Sequence, residues 1–162
     1  MYYQKIISKI IDWQNLPLKL AEWSSDHKKI VFTNGCFDIL HKGHVEYLSK
    51  AADLGDVFIL GLNSDASVKR LKGLSRPLQD QSSRALVMAA LEFISVVVLF
   101  EEDTPLELIR LVQPDVLVKG GDYRPEEIAG YDIVKNKGGQ IVTIDIVEGY
   151  STTSVVKRMQ IV

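Results

Sequence analysis

The chain has 162 residues, 46% apolar and 25% charged, with a net charge of −2. That length suits one domain with a proper core, and the near-neutral charge excludes bulk attraction to nucleic acid or an anionic membrane. The single cysteine, Cys36, excludes an intramolecular disulfide and a cysteine-rich zinc site.

The opening MYYQKIISKIIDWQN is broken by Lys5, Lys9 and Asp12, so it lacks the unbroken apolar region of a signal peptide. No apolar run nears the roughly 20 residues that span a bilayer; the longest, Ile94 to Phe100, has strand length. The chain is read as cytoplasmic, with neither a membrane nor a nucleic acid as partner. Residues 1–28 are read as an N-terminal helical extension. In it Asn15 caps a helix with Pro17 in the first turn, and Leu16, Leu20 and Trp23 share a face that packs on the domain or on a second subunit.

From residue 29 onward, strand and helix patterns alternate. Lys29–Thr33, Val57–Leu62, Ser95–Phe100, Asp115–Val118 and Gln140–Ile144 are nearly continuous apolar runs, the mark of parallel strands covered on both faces. Between them, Gly43–Leu54, Asp80–Phe93 and Thr104–Val112 carry apolar residues at helical spacing. The last opens with Thr104 as cap and Pro105 at the first helical position. This alternation predicts an α/β fold: a Rossmann-like, doubly wound, parallel five-stranded sheet flanked by helices.

The first strand breaks at Asn34-Gly35, and the loop after it reads FDILHKGH, placing His41 and His44 at the start of the next helix. In an open α/β sheet, ligands sit beyond the carboxyl ends of the strands, and a helix N-terminus there attracts phosphate. Spacing alone leaves three readings: a phosphate contact, a metal site or local packing. Zinc would need a third protein ligand, and the remaining histidine, His27, precedes the strand. An oxidoreductase reading is disfavoured because no G-x-G-x-x-G follows a strand.

The words T-N-G-C-F-D-I-L-H-K-G-H-V-E-Y-L, G-L-N-S-D-A-S-V-K-R-L-K-G, R-A-L-V-M-A-A-L, P-D-V-L-V-K-G-G-D-Y and Y-S-T-T-S-V-V occur in order over residues 29–160. Together they resemble the cytidylyltransferase-like nucleotidyltransferases, and within them the adenylyltransferases of ADP-heptose synthesis. The resemblance makes residues 29–162 a nucleotidyltransferase domain and implies catalytic roles for His41, His44 and Lys72. It implies nucleotide contacts from Thr33, Asn34, Gly35, Phe37, Asp38 and Gly43 around the histidines. Lys119, Gly120, Gly121 and Asp122 would follow at the fourth strand's end, and Ser151, Thr152 and Thr153 at the last helix.

Asn63 and Asp65, just past the second strand, either face the substrate pocket or cap the following helix. Arg84, at a helix start, either grips phosphate with its planar guanidinium or lies on the surface. The resemblance further implies ATP and a heptose 1-phosphate as substrates, Mg²⁺ carried by the phosphates, and a homodimer. A cytidylyltransferase acting on glycerol 3-phosphate, and a nucleotide-binding module without catalysis, are the alternatives.

Overall fold

The computed structural model describes residues 1–121, 123–147 and 149–159. Five parallel strands, β1 (Ile30–Gly35), β2 (Val57–Asn63), β3 (Val96–Phe100), β4 (Val116–Gly120) and β5 (Gln140–Ile144), form one sheet in the order β3-β2-β1-β4-β5. The chain therefore builds outward from β1 on one side, then returns to place β4 on the other. The gap between β1 and β4 is the topological switch point, where doubly wound sheets open a crevice for ligands.

The continuous apolar runs are explained by burial on both faces. On one face Val31, Phe58, Leu60, Val97 and Val118 pack against α3 (Lys42–Ala52) and α5 (Gln81–Ala89) through Tyr47, Leu48, Ala51, Ala85 and Met88. On the other, Phe32, Ile59, Val98 and Leu117 meet α2 (Leu16–Ser25), α6 (Leu106–Val112) and α7 (Tyr131–Asn136) through Leu16, Leu108, Ile109 and Val134. Neighbouring strand residues alternate between these two cores, as the two-residue pleat requires.

The helices α1 (Tyr2–Ile7), α4 (Asp65–Lys72) and α8 (Thr152–Met159) complete the described helical elements, with a 3₁₀ turn at Pro125–Glu127. Strand ends lie within one or two residues of the sequence expectation. Two caps differ. Pro105, not Thr104, occupies the N-cap position of α6, and Asn15 spends its side chain on Asp12 Oδ1 (2.9 Å) instead of on a helix N–H.

The first residues are stitched to the sheet edge. Ile11 N–H donates to Val97 C=O (3.0 Å), Val97 N–H donates to Lys9 C=O (2.9 Å) and the Trp13 indole donates to Leu99 C=O (2.7 Å). These bonds occupy part of the β3 edge, which would otherwise present unpaired backbone groups, and Leu16 is fully buried behind them. No described helix is long and apolar enough to cross a membrane.

Candidate active site

A cavity of about 380 Å³ opens beyond the carboxyl ends of β1 and β4, walled by the first turns of α3 and α8. A wider, more open depression of about 840 Å³ lies at the opposite end of the strands, between α2 and α6, away from the histidines. Topology and chemistry both favour the smaller one.

His41 is the N-cap residue of α3, and His44 follows within its first turn. The two rings stack with centroids 3.7 Å apart and planes 23° from parallel. Nδ1 of each ring is buried without a hydrogen-bond partner among the described residues. An unsatisfied buried polar atom costs about 1–3 kcal/mol, and this pair lines a cavity beside a helix N-terminus whose first N–H groups lack intrahelical acceptors. Burial, then the neighbouring His41 and Lys72, push the His44 pKa down to about 4, and burial lowers His41 as well. Both rings are therefore neutral at neutral pH, each able to donate one N–H.

Local sequence explains how the rings come together. A Cβ on Gly43 would lie 3.1 Å from the His41 ring and 3.3 Å from Tyr150 Cβ, so only glycine lets α3, His41 and the start of α8 meet this closely. Phe37 holds a left-handed backbone (φ 44°), a conformation costing of order 1–3 kcal/mol outside glycine. Its ring lies over Gly35, where an added Cβ would sit 2.7 Å from Phe37 Cε2, and it packs edge-to-face with His44, the ring centroids 5.2 Å apart.

Of the other expected residues, Asn34, Gly35, Phe37, Gly43, Lys72, Lys119, Gly120, Ser151 and Thr152 line the cavity with the histidines. Lys119 donates to Asn34 Oδ1 across the switch point (2.8 Å). The Ser151 hydroxyl accepts from Ser154 N–H (3.0 Å), and the Ser154 hydroxyl lies 3.1 Å from Ser151 N–H, so this serine caps α8 while bordering the cavity. Gly121 and Thr153 lie beside the lining without forming part of it, and Asp122 falls outside the described residues.

Five of the expected residues lie outside the cavity lining, with their polar atoms bonded within the scaffold. The Thr33 side chain is fully buried, its hydroxyl 2.6 Å from the Tyr47 hydroxyl and donating to Val118 C=O (2.9 Å). Asn63 donates to the Ser67 hydroxyl (3.0 Å), and Ser64, not Asn63 or Asp65, caps α4. Arg84 is only 1% exposed and donates to the carbonyls of Cys36, Asn63 and Gln79 and to Asp65 Oδ1 (2.8 Å). Asp38 accepts from Arg76 (2.8 Å) and from the N–H groups of Leu78 and Gln79, which pins the loop between α4 and α5 beside the histidines. Burial pushes the Asp38 carboxyl up, but those N–H groups and Arg76 outweigh it and hold the pKa below the ordinary value.

Tyr47, Cys36, Tyr123, Ile146 and Tyr150 also line the cavity. Tyr47 was legible in principle, since it sits one helical turn after His44 and so shares its face. Burial of its hydroxyl pushes the pKa up to about 12. The contacts of Ile146 and Tyr123 depend on how the loops around β4 and β5 fold back, which no short-range spacing encodes.

The site is thus rich in N–H, hydroxyl and cationic donors. No group of three or more His, Cys, Asp or Glu among the described residues is placed to hold a metal ion. That donor set suits phosphate oxygens.

Comparison with known proteins agrees. Residues 32–158 match the family described as Cytidylyltransferase-like. The chain is 56% identical over 151 residues to the bifunctional protein HldE of Nitratiruptor sp. and 58% identical over 152 residues to that of Wolinella succinogenes. It covers 93% and 94% of its own length in those matches but spans only about a third of the relatives (32% and 31%). Among solved structures, a lipopolysaccharide core biosynthesis protein from Thermoplasma volcanium aligns with TM-score 0.61 at 26% identity, over 76% of this chain and 99% of that one. Pantoate-beta-alanine ligase from Francisella tularensis, solved with beta-gamma ATP and beta-alanine, shares the fold alone: TM-score 0.56 at 15% identity, over 94% of this chain and 77% of that one. With its parallel five-stranded sheet and histidine pair at the switch point, the chain belongs to the cytidylyltransferase-like family and is a nucleotidyltransferase.

Proposed function

We propose that the chain is an adenylyltransferase that moves AMP from ATP to a sugar 1-phosphate, D-glycero-β-D-manno-heptose 1-phosphate, giving ADP-heptose and pyrophosphate. The observation that carries the transfer chemistry is the stacked His41–His44 pair, with its unpartnered Nδ1 atoms, in one cavity with Lys72 and the start of α8. The choice of heptose rests on the V-K-G-G-D-Y and N-S-D-A-S-V words and on the similarity to proteins named HldE. The 26%-identical lipopolysaccharide core biosynthesis protein is in keeping with it.

In the reaction, an oxygen of the acceptor's phosphate attacks the α-phosphorus of ATP. The bond from that phosphorus to the oxygen bridging to the β-phosphate breaks, and pyrophosphate leaves with the electron pair. The attacking oxygen is already ionised near neutral pH, so the protein needs no general base. Its work is positioning and charge stabilisation. The histidines, Lys72 and the free N–H groups at the starts of α3 and α8 donate to the phosphate oxygens as charge redistributes. Mg²⁺ would arrive with the triphosphate and neutralise part of its charge, since no carboxylate cage lines the cavity among the described residues. Pyrophosphate release, measured with ATP or CTP against heptose 1-phosphate or glycerol 3-phosphate, tests the reading. It expects turnover with the ATP–heptose pair; turnover confined to CTP and glycerol 3-phosphate would replace it.

A further inference from the structure

The cavity holds two lysines in different settings. Lys72 is exposed at the C-terminal end of α4, and its charge acts on both Cys36 and His44. Lys119 reaches in from the end of β4, largely buried and tied to Asn34 at the strand ends. The histidines sit where the starts of α3 and α8 meet, Gly43 lying against both His41 and Tyr150, whereas Lys119 lies at the carboxyl ends of β1 and β4 beside Asn34.

Lys119 is incompletely satisfied. An ammonium has three N–H donors, and the hydrogen bond found for it among the described residues goes to a neutral amide oxygen, Asn34 Oδ1 at 2.8 Å. None of the ion pairs among those residues includes it. A buried charge with one neutral partner is unfavourable, and burial correspondingly lowers its pKa. Lys119 lines the cavity, so its remaining donors can meet an anion that the substrates bring.

The displacement supplies two anionic groups on opposite sides of the α-phosphorus: the leaving pyrophosphate and the attacking phosphate. The histidines and the starts of α3 and α8 lie together and suit the triphosphate. We infer that Lys119, held by Asn34 at the β1–β4 switch point, binds the phosphate of the acceptor and so selects a phosphorylated nucleophile. Asn34 is then a positioning residue that fixes the ammonium. The inference rests on the nucleotidyl-transfer reading above but not on which sugar or alcohol carries the phosphate.

The test is Lys119→Met and Lys119→Arg, assayed by pyrophosphate release with whichever acceptor phosphate the wild type uses. Nucleotide affinity is followed separately by calorimetric titration with α,β-methylene-ATP. Loss of a charge-assisted contact predicts an acceptor KM about 10- to 100-fold higher in Lys119→Met. Nucleotide affinity is expected to stay within about threefold, with partial rescue by Lys119→Arg and no fall in melting temperature. Asn34→Ala should raise the acceptor KM more than it lowers kcat. An unchanged acceptor KM in Lys119→Met, or a loss falling mainly on α,β-methylene-ATP binding, would overturn the inference. A wild type that turns over none of the acceptor phosphates would instead overturn the transfer reading itself.

Discussion

The imidazole of His41 stacks on that of His44 at 3.7 Å, and the cavity they line is also where Lys72 lies. Neighbouring cations oppose one another's formation, so in the free protein the pair resists protonation. An anion in the cavity reverses that balance.

This gives the first prediction. The folded His44 pKa of about 4 lies below its ordinary value of 6.5. Between these values the unfolded chain binds a proton that the folded one does not, so stability should rise with pH across that window and level off above it. Inorganic triphosphate should raise the His44 titration midpoint, read by NMR of the imidazole carbons. A midpoint indifferent to triphosphate would separate the pair from phosphate binding.

Gly43→Ala tests the close approach at the helix start. Alanine favours a helix over glycine by up to about 1 kcal/mol, which offsets the crowding against His41 and Tyr150, so melting temperature should change little. The new Cβ meets the His41 ring at 3.1 Å, and displacement of a catalytic group by even 1 Å can cost on the order of 10²-fold. Activity should therefore fall at least tenfold without loss of fold, checked by pyrophosphate release alongside a thermal melt.

Arg84 should behave as a structural residue. Its guanidinium is buried and joins the carbonyls of Cys36, Asn63 and Gln79 to Asp65. Arg84→Met should cost about 3 kcal/mol, a drop on the order of 6–12 °C in melting temperature for a chain of this size. Arg84→Lys keeps the charge but not the planar fork and should also melt early. A variant with normal stability and impaired triphosphate binding would restore Arg84 as a phosphate ligand.

How far the sequence could be read follows from the range of each signal. The strand runs, the Asn34-Gly35 and Gly120-Gly121 breaks and the spacing of His41 and His44 are local, so they placed the sheet and the mouth of the cavity. Thr33, Asn63, Asp65 and Arg84 also lie near strand or helix ends, yet their polar groups find partners within the scaffold, Arg84 and Asp65 bonding across 19 positions of sequence. Nothing in a linear pattern tells a ligand-facing arginine from one that ties three loops together. Asp38 illustrates the same limit, since the backbone N–H groups it accepts from lie 40 and 41 residues away.

The most direct measurement is the rate of pyrophosphate release by His44→Ala beside the wild type, with ATP and heptose 1-phosphate as substrates. If the histidine pair stabilises charge during transfer, the rate should fall on the order of 10²–10³-fold or more while the circular dichroism spectrum and melting behaviour stay native. A folded variant with near-normal turnover would contradict the account.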